Sequence, residues 1–140
     1  MIENKYRVSI IVFNDDSKSC KKTLNSIRNQ PCYQNGEVQL LLVWCPQAKE
    51  DETLRGQLAQ AECETVYEAA GPREDGIFDK VVSEAVGTYL HITKAGVTYP
   101  GGSLDRALSL MEKNRWRSGV TMVYTSSHSA EMRELNAYTR

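Results

Sequence analysis

The chain lacks a charge excess: 17 lysines and arginines face 18 aspartates and glutamates over 140 residues, a net charge of −1. A near-neutral chain has no broad positive field to draw nucleic acid or an anionic membrane, so neither is an expected partner. It also lacks a long apolar run. The longest unbroken stretch is Leu40 to Cys45, against the ~20 residues that a bilayer span needs, so no transmembrane segment is expected. The opening Met1-Ile2-Glu3-Asn4-Lys5-Tyr6 lacks the apolar segment of a secretory signal. Nine glycines and four prolines are too few for a collagen-like or low-complexity chain, and 41% hydrophobic residues exclude disorder.

Close ligand pairs are missing too. Cys20, Cys32, Cys45 and Cys63 are scattered, with no C-x-x-C and no histidine at ligand spacing. This pattern reads as small core residues and incidental thiols, not as a zinc site or a disulfide framework, and it places the protein in the cytoplasm. No metal and no cofactor is expected. The chain has no G-x-x-x-x-G-K-[ST] or G-x-G-x-x-G phosphate loop, and no G-x-S-x-G nucleophile. His91 and His128 therefore have no nucleophile to serve, and no catalytic residue is identified.

What is present is an alternation. Arg7 to Val12 is a β-branched run bounded by Asn14-Asp15-Asp16, a strand buried on both faces. Ser17 can cap a helix from Lys18 to Asn29, with Cys20, Leu24 and Ile27 on one face and Pro31 as its stop. Val38 to Trp44 is a second strand, Lys49 to Ala61 a second helix and Thr65 to Tyr67 a short third strand. Ile77 to Val86 is a third helix, which Gly87 ends. Tyr89 to Ile92 is a fourth strand, Ser103 to Asn114 a fourth helix and Val120 to Tyr124 a fifth strand. The tail from Ser126 reads as the start of another helix. This order predicts an α/β fold with a mostly parallel, doubly wound sheet and helices on both faces. The length fits a single domain over residues 1–140, expected to be part of a longer chain.

In such a sheet, ligands lie beyond the carboxyl ends of the strands, where strand order reverses. Three loops fall there: Phe13 to Ser17, Cys45 to Lys49 and Thr93 to Tyr99. Asn14, Asp15 and Asp16 can face a cation or a ribose, or can simply cap the following helix. Trp44 can stack on a base or fill the core. Lys94 can meet a phosphate as a point charge or stand solvated. His91, inside a strand, reads as a hydrogen-bonded core histidine. On chemistry alone, the crevice is poor in acid–base groups.

Two stretches go further. Val8-Ser9-Ile10-Ile11-Val12-Phe13-Asn14-Asp15, followed by Cys20, Leu24, Ser26-Ile27 and Asn29-Gln30, resembles the opening of family 2 glycosyltransferases of the GT-A fold. Those begin V-S-I-I-V-P-x-Y-N, and their first helix ends L-x-S-I-x-x-Q. Glu84 to Leu90 is similar to that family's A-x-G-E-Y-I, and Tyr99 to Leu104 to its Y-x-P-x-x-L. The resemblance covers Val8 to Leu110 and implies a GT-A, Rossmann-like half-domain that binds a nucleotide-sugar. It implies donor-facing positions at Asn14, Asp15, Trp44, Asp79 and Lys94.

The departures bear on chemistry. The family's Asp-Asp-Gly-Ser falls on Trp44-Cys45-Pro46-Gln47. Its D-x-D, which holds Mg²⁺ or Mn²⁺ against the diphosphate, falls on Lys94-Ala95-Gly96. The Asn and Gly of its third helix fall on Asp79 and Val81, and the first strand lacks the family's Pro. A divalent ion needs oxygen donors, and Lys94 supplies one fixed positive charge instead. The expectation is therefore a degenerate domain that interacts or scaffolds within a glycan-synthesis protein, with other domains or subunits as partners. A metal-independent transferase using Lys94 is the alternative. A receiver-like signalling domain is a third reading: it suits the length and Asp15-Asp16, but it needs an Asp where Tyr67-Glu68 stands.

Overall fold

Val8, Ile10, Ile11 and Val12 favour extended backbone, and around them the chain builds the first strand of a sheet. The computed structural model describes residues 5–69 and 75–113, and the backbone of 131–134. In chain order the elements are β1 (Val8–Asn14), α1 (Ser17–Arg28), α2 (Pro31–Gln34), β2 (Val38–Trp44), α3 (Glu52–Gln60) and β3 (Glu64–Glu68). They continue with α4 (Asp75–Glu84), β4 (Tyr89–Lys94), α5 (Ser103–Lys113) and β5 (Glu131–Glu134).

Among the described residues the strands form one sheet in the order β3-β2-β1-β4-β5. The three ladders among β1 to β4 are parallel, and β5 runs antiparallel to β4. The mostly parallel, doubly wound α/β fold is as expected. A receiver-like domain is not: that fold places its strands 2-1-3-4-5, whereas here β1 separates β2 from β4.

Helices cover both faces unequally. Val8, Ile10, Val12, Leu40 and Leu42 pack with Cys20, Leu24, Ile27, Leu54, Leu58, Leu104 and Leu108, so α1, α3 and α5 share one face. Ile11, Leu41, Val43 and Leu90 pack with Val81 and Ala85 at α4 on the other. Each fully buried aliphatic side chain contributes about 1.5–3 kcal/mol of burial. Both faces of β1 and β2 are therefore largely dry, with Asn14 at the end of β1 and one polar pair as exceptions. Ser9 and Gln39 stand opposite each other in the β1–β2 register, and Ser9 Oγ donates to Gln39 Oε1 at 2.6 Å. Gln39 Oε1 also accepts from Val86 N and Ser9 Oγ from Gly87 N, while Gln39 Nε2 donates to Glu84 O. The pair thus satisfies the carboxyl end of α4. Gly87 must lie so close that a Cβ there would sit 2.5 Å from Ser9 N.

Several expected boundaries shift. Ser17 is the first residue inside α1, and Asp16 takes the N-cap position. Pro31 does not merely stop α1: it opens the one-turn α2, whose first position needs no backbone donor. The second expected helix begins at Glu52 rather than Lys49, because the Asp51 side chain accepts from Leu54 N at 3.0 Å and fixes the start. Thr93 and Lys94 belong to β4, not to the following loop, since the ladder with β1 runs on to Phe13↔Lys94. The tail expected to be helical instead places Glu131–Glu134 along the edge of β4. The expected strand Val120 to Tyr124 lies outside the described residues, as does His128.

Candidate functional site

The switch point lies where β1 separates β2 from β4, and three loops meet there by backbone hydrogen bonds. Cys45 N donates to Asn14 O at 2.9 Å, and Ala95 N donates to Phe13 O at 2.9 Å. The end of β1 is therefore stitched to the exits of both its neighbours.

Asn14 is fully buried at this junction. Its Nδ2 donates to Ser17 Oγ at 3.3 Å, and Ser17 Oγ donates to Lys49 O at 2.6 Å, which brings the loop before α3 to the start of α1. Asn14 Oδ1 is buried with no hydrogen-bond partner among the described residues. Asp15 is exposed. Asp16 accepts from Ser19 Oγ at 2.6 Å, and this bond holds its carboxyl below the ordinary carboxylate value.

Trp44 ends β2 and is 5% exposed. Its outer face is not open: the Arg55 guanidinium lies 3.8 Å from the ring centroid. Lys94 ends β4, exposed, in register with Phe13. It makes no ion pair among the described residues. Asp79 is exposed on α4, beside Phe78, whose ring stacks on Phe13 with centroids 6.3 Å apart. That stack holds the first half of α4 against the end of β1. Asn14 and Lys94 thus end the neighbouring strands β1 and β4, Trp44 stands opposite Asn14 at the end of β2, and Asp79 lies on α4 next to Phe78. The Phe13–Phe78 stack and the Arg55 cover were missed in the sequence because each pairs residues on different elements.

The loop after β4 is tethered from beneath. Gly96, at φ +101°, donates its N–H to Thr23 Oγ1 at 2.9 Å. Gln30, fully buried at the end of α1, donates from Nε2 to Tyr99 O at 3.3 Å and to Pro100 O at 3.0 Å. Its Oε1 accepts from Leu104 N, at the start of α5. His91 is buried with Nε2 2.7 Å from the Tyr99 hydroxyl, a core contact as expected. Burial pushes the Tyr99 hydroxyl up to about 12.

Metal ligation does not fit this junction. Lys94, Ala95 and Gly96 offer no side-chain oxygen, and the ammonium of Lys94 repels a cation. Among the described residues, no three His, Cys, Asp or Glu side chains come together. The four cysteines are free; Cys20 and Cys32 are buried, and desolvation pushes both thiols up to about 12, which keeps them unreactive. No described helix is long and apolar enough to cross a membrane.

No family model matches the chain, and no curated protein does. Solved structures do. The crystal structure of S. aureus TarS superposes with a TM-score of 0.69 at 14% identity, over 86% of this chain and 22% of that one. The mannosyltransferase PcManGT from Pyrobaculum calidifontis, in complex with GDP-Man and Mn²⁺, gives 0.66 at 16% identity, over 85% and 36%. S. aureus TarS 1–349 in complex with UDP-GlcNAc gives 0.64 at 16%, over 88% and 36%. The chain spans roughly a fifth to a third of these structures' lengths, and it shares with them a GT-A-like fold.

Proposed function

We propose that this chain is a glycosyltransferase-like domain that does not by itself catalyse metal-dependent sugar transfer. Its role is interaction or scaffolding within cytoplasmic glycan or polysaccharide synthesis, beside other domains or subunits. The observation that carries this reading is the Lys94-Ala95-Gly96 exit of β4. PcManGT is seen with GDP-Man and Mn²⁺, and a divalent ion of that kind is the largest local charge in a diphosphate site. An ammonium on a strand end neutralises one charge of a diphosphate but cannot bridge two of its oxygens. Of the five candidate positions, Asp15, Asp79 and Lys94 are exposed to a nucleotide-sugar, while Asn14 is buried and Trp44 is covered by Arg55.

The second reading is a metal-independent transferase, favoured by the exposed Lys94 with no ion pair among the described residues. Calorimetric titration of UDP- and GDP-sugars, with and without Mn²⁺, separates the two. The first reading expects no Mn²⁺-dependent heat, and Mn²⁺-strengthened binding would overturn it. Metal-independent binding that Lys94→Ala abolishes, together with turnover of the donor, would establish the second.

A further inference from the structure

Trp44 ends β2 at the side of the sheet where ligands of open α/β folds lie; it belongs to the core cluster and is 5% exposed, and one face of its ring carries an arginine. Arg55 of α3 covers the ring at 3.8 Å. A guanidinium is planar and delocalised, so it occupies an aromatic face much as a flat heterocycle does. The cover is held from outside. Arg55 Nε donates to Glu50 Oε1 at 2.9 Å, and Nη2 donates to Glu50 Oε2 at 2.9 Å and Glu68 Oε1 at 2.6 Å. The two carboxylate side chains are 65% and 69% exposed. Ion pairs between groups this wet are weak and weaken further with salt. A buried, structural arginine would be anchored the other way, by partners shielded from water. This one is a surface latch over an aromatic surface.

We infer that the outer face of Trp44 is a gated stacking site for a planar heteroaromatic base and that Arg55 is the gate. The inference rests on the reading that a nucleotide is the ligand of this crevice. With Arg55 in place the face is closed. When Glu50 and Glu68 release it, the guanidinium moves to solvent and a base takes its position on the ring. Occupancy by Arg55 competes directly with occupancy by the base, so the latch lowers apparent affinity without touching the diphosphate end of the site.

The chain's two tryptophans are Trp44 and Trp116, so Trp116→Phe leaves Trp44 as the sole reporter. In that background, nicotinamide serves as a neutral planar quencher of Trp44 and calorimetry with UDP reads base binding. In Arg55→Ala, quenching should rise several-fold and UDP should bind about threefold tighter, the most that a latch worth under about 1 kcal/mol can withhold being roughly fivefold. The double variant Glu50→Gln/Glu68→Gln, which keeps the arginine but loosens it, should move both readouts part of the way. Unchanged quenching in both variants overturns the gate, provided circular dichroism shows native folding. Raised quenching with UDP bound equally by all forms overturns the stacking site and leaves the nucleotide reading standing. Raised quenching with no UDP binding by any form overturns the nucleotide reading and leaves the gated aromatic face.

Discussion

The exits of β4 and β2 each carry a polar side chain with several bonds, Gln30 and Arg55, and the two holds differ in kind. Gln30 reaches the loop after β4 from below, fully buried, with both ends of its amide bonded to main-chain groups 69 to 74 residues away. Arg55 lies over the end of β2 from outside, bonded to two exposed carboxylates. The number of bonds is similar. Their worth is not, because a hydrogen bond broken in water is replaced at once, whereas one broken in the core leaves orphaned groups. One exit is therefore fixed and the other is latched.

The largest effect expected from breaking this comparison is at Gln30. Gln30→Ala removes the side-chain partner of the Tyr99 carbonyl and the Leu104 N–H, leaves the Pro100 carbonyl only its bond from Ser103 N, and opens a cavity beneath the loop. The expected cost is about 3 kcal/mol of folding stability, read as a lowered urea midpoint with unchanged slope. Amide exchange from Ala95 to Ser103 should accelerate with it. A loss near zero would mean that water enters and satisfies those groups, and the loop would not be fixed after all.

The fold was largely readable from local pattern, and the site was not. The β-branched run from Val8 and the Cys20, Leu24, Ile27 face of α1 are signals carried by neighbouring residues, and both elements formed where expected. Boundaries moved where a single contact decided them: the Asp51 cap delayed α3, and the ladder with β1 drew Lys94 into β4. Gln30 stood out in sequence as part of a resemblance, yet nothing local says that its partners are Tyr99, Pro100 and Leu104. Trp44 and Arg55 lie on separate elements, so the covered indole face has no sequence signature. What escapes the sequence is the meeting of polar side chains over long chain separations.

A smaller effect belongs to the element that carries the latch. Asp51 caps α3 through Leu54 N and pairs with Lys21 at 2.6 Å. The Lys21 contact and the Leu54 amide hold its carboxyl below the ordinary value near 3.8. A group depressed in the folded state stabilises the fold above its unfolded pKa, and that contribution fades as pH falls through the folded pKa. The wild-type midpoint should therefore decline as pH drops below about 4, and Asp51→Asn should flatten part of that decline. An identical pH profile for the two proteins would show that the cap and the Lys21 pair contribute nothing measurable to holding α3.

Arg55→Ala should have the smallest effect on folding, under about 1 kcal/mol, since it removes exposed ion pairs and one cation–π contact from the rim of the sheet. Salt sharpens this test. At 1 M salt the Debye length is about 3 Å, so the wild-type protein should lose most of its small advantage over Arg55→Ala, while the Gln30→Ala deficit stays the same. If Arg55→Ala instead cost as much as Gln30→Ala, and salt left that cost intact, Arg55 would be a core anchor in spite of its exposed partners. The exits of β2 and β4 would then be fixed alike, and the face of Trp44 would be permanently closed.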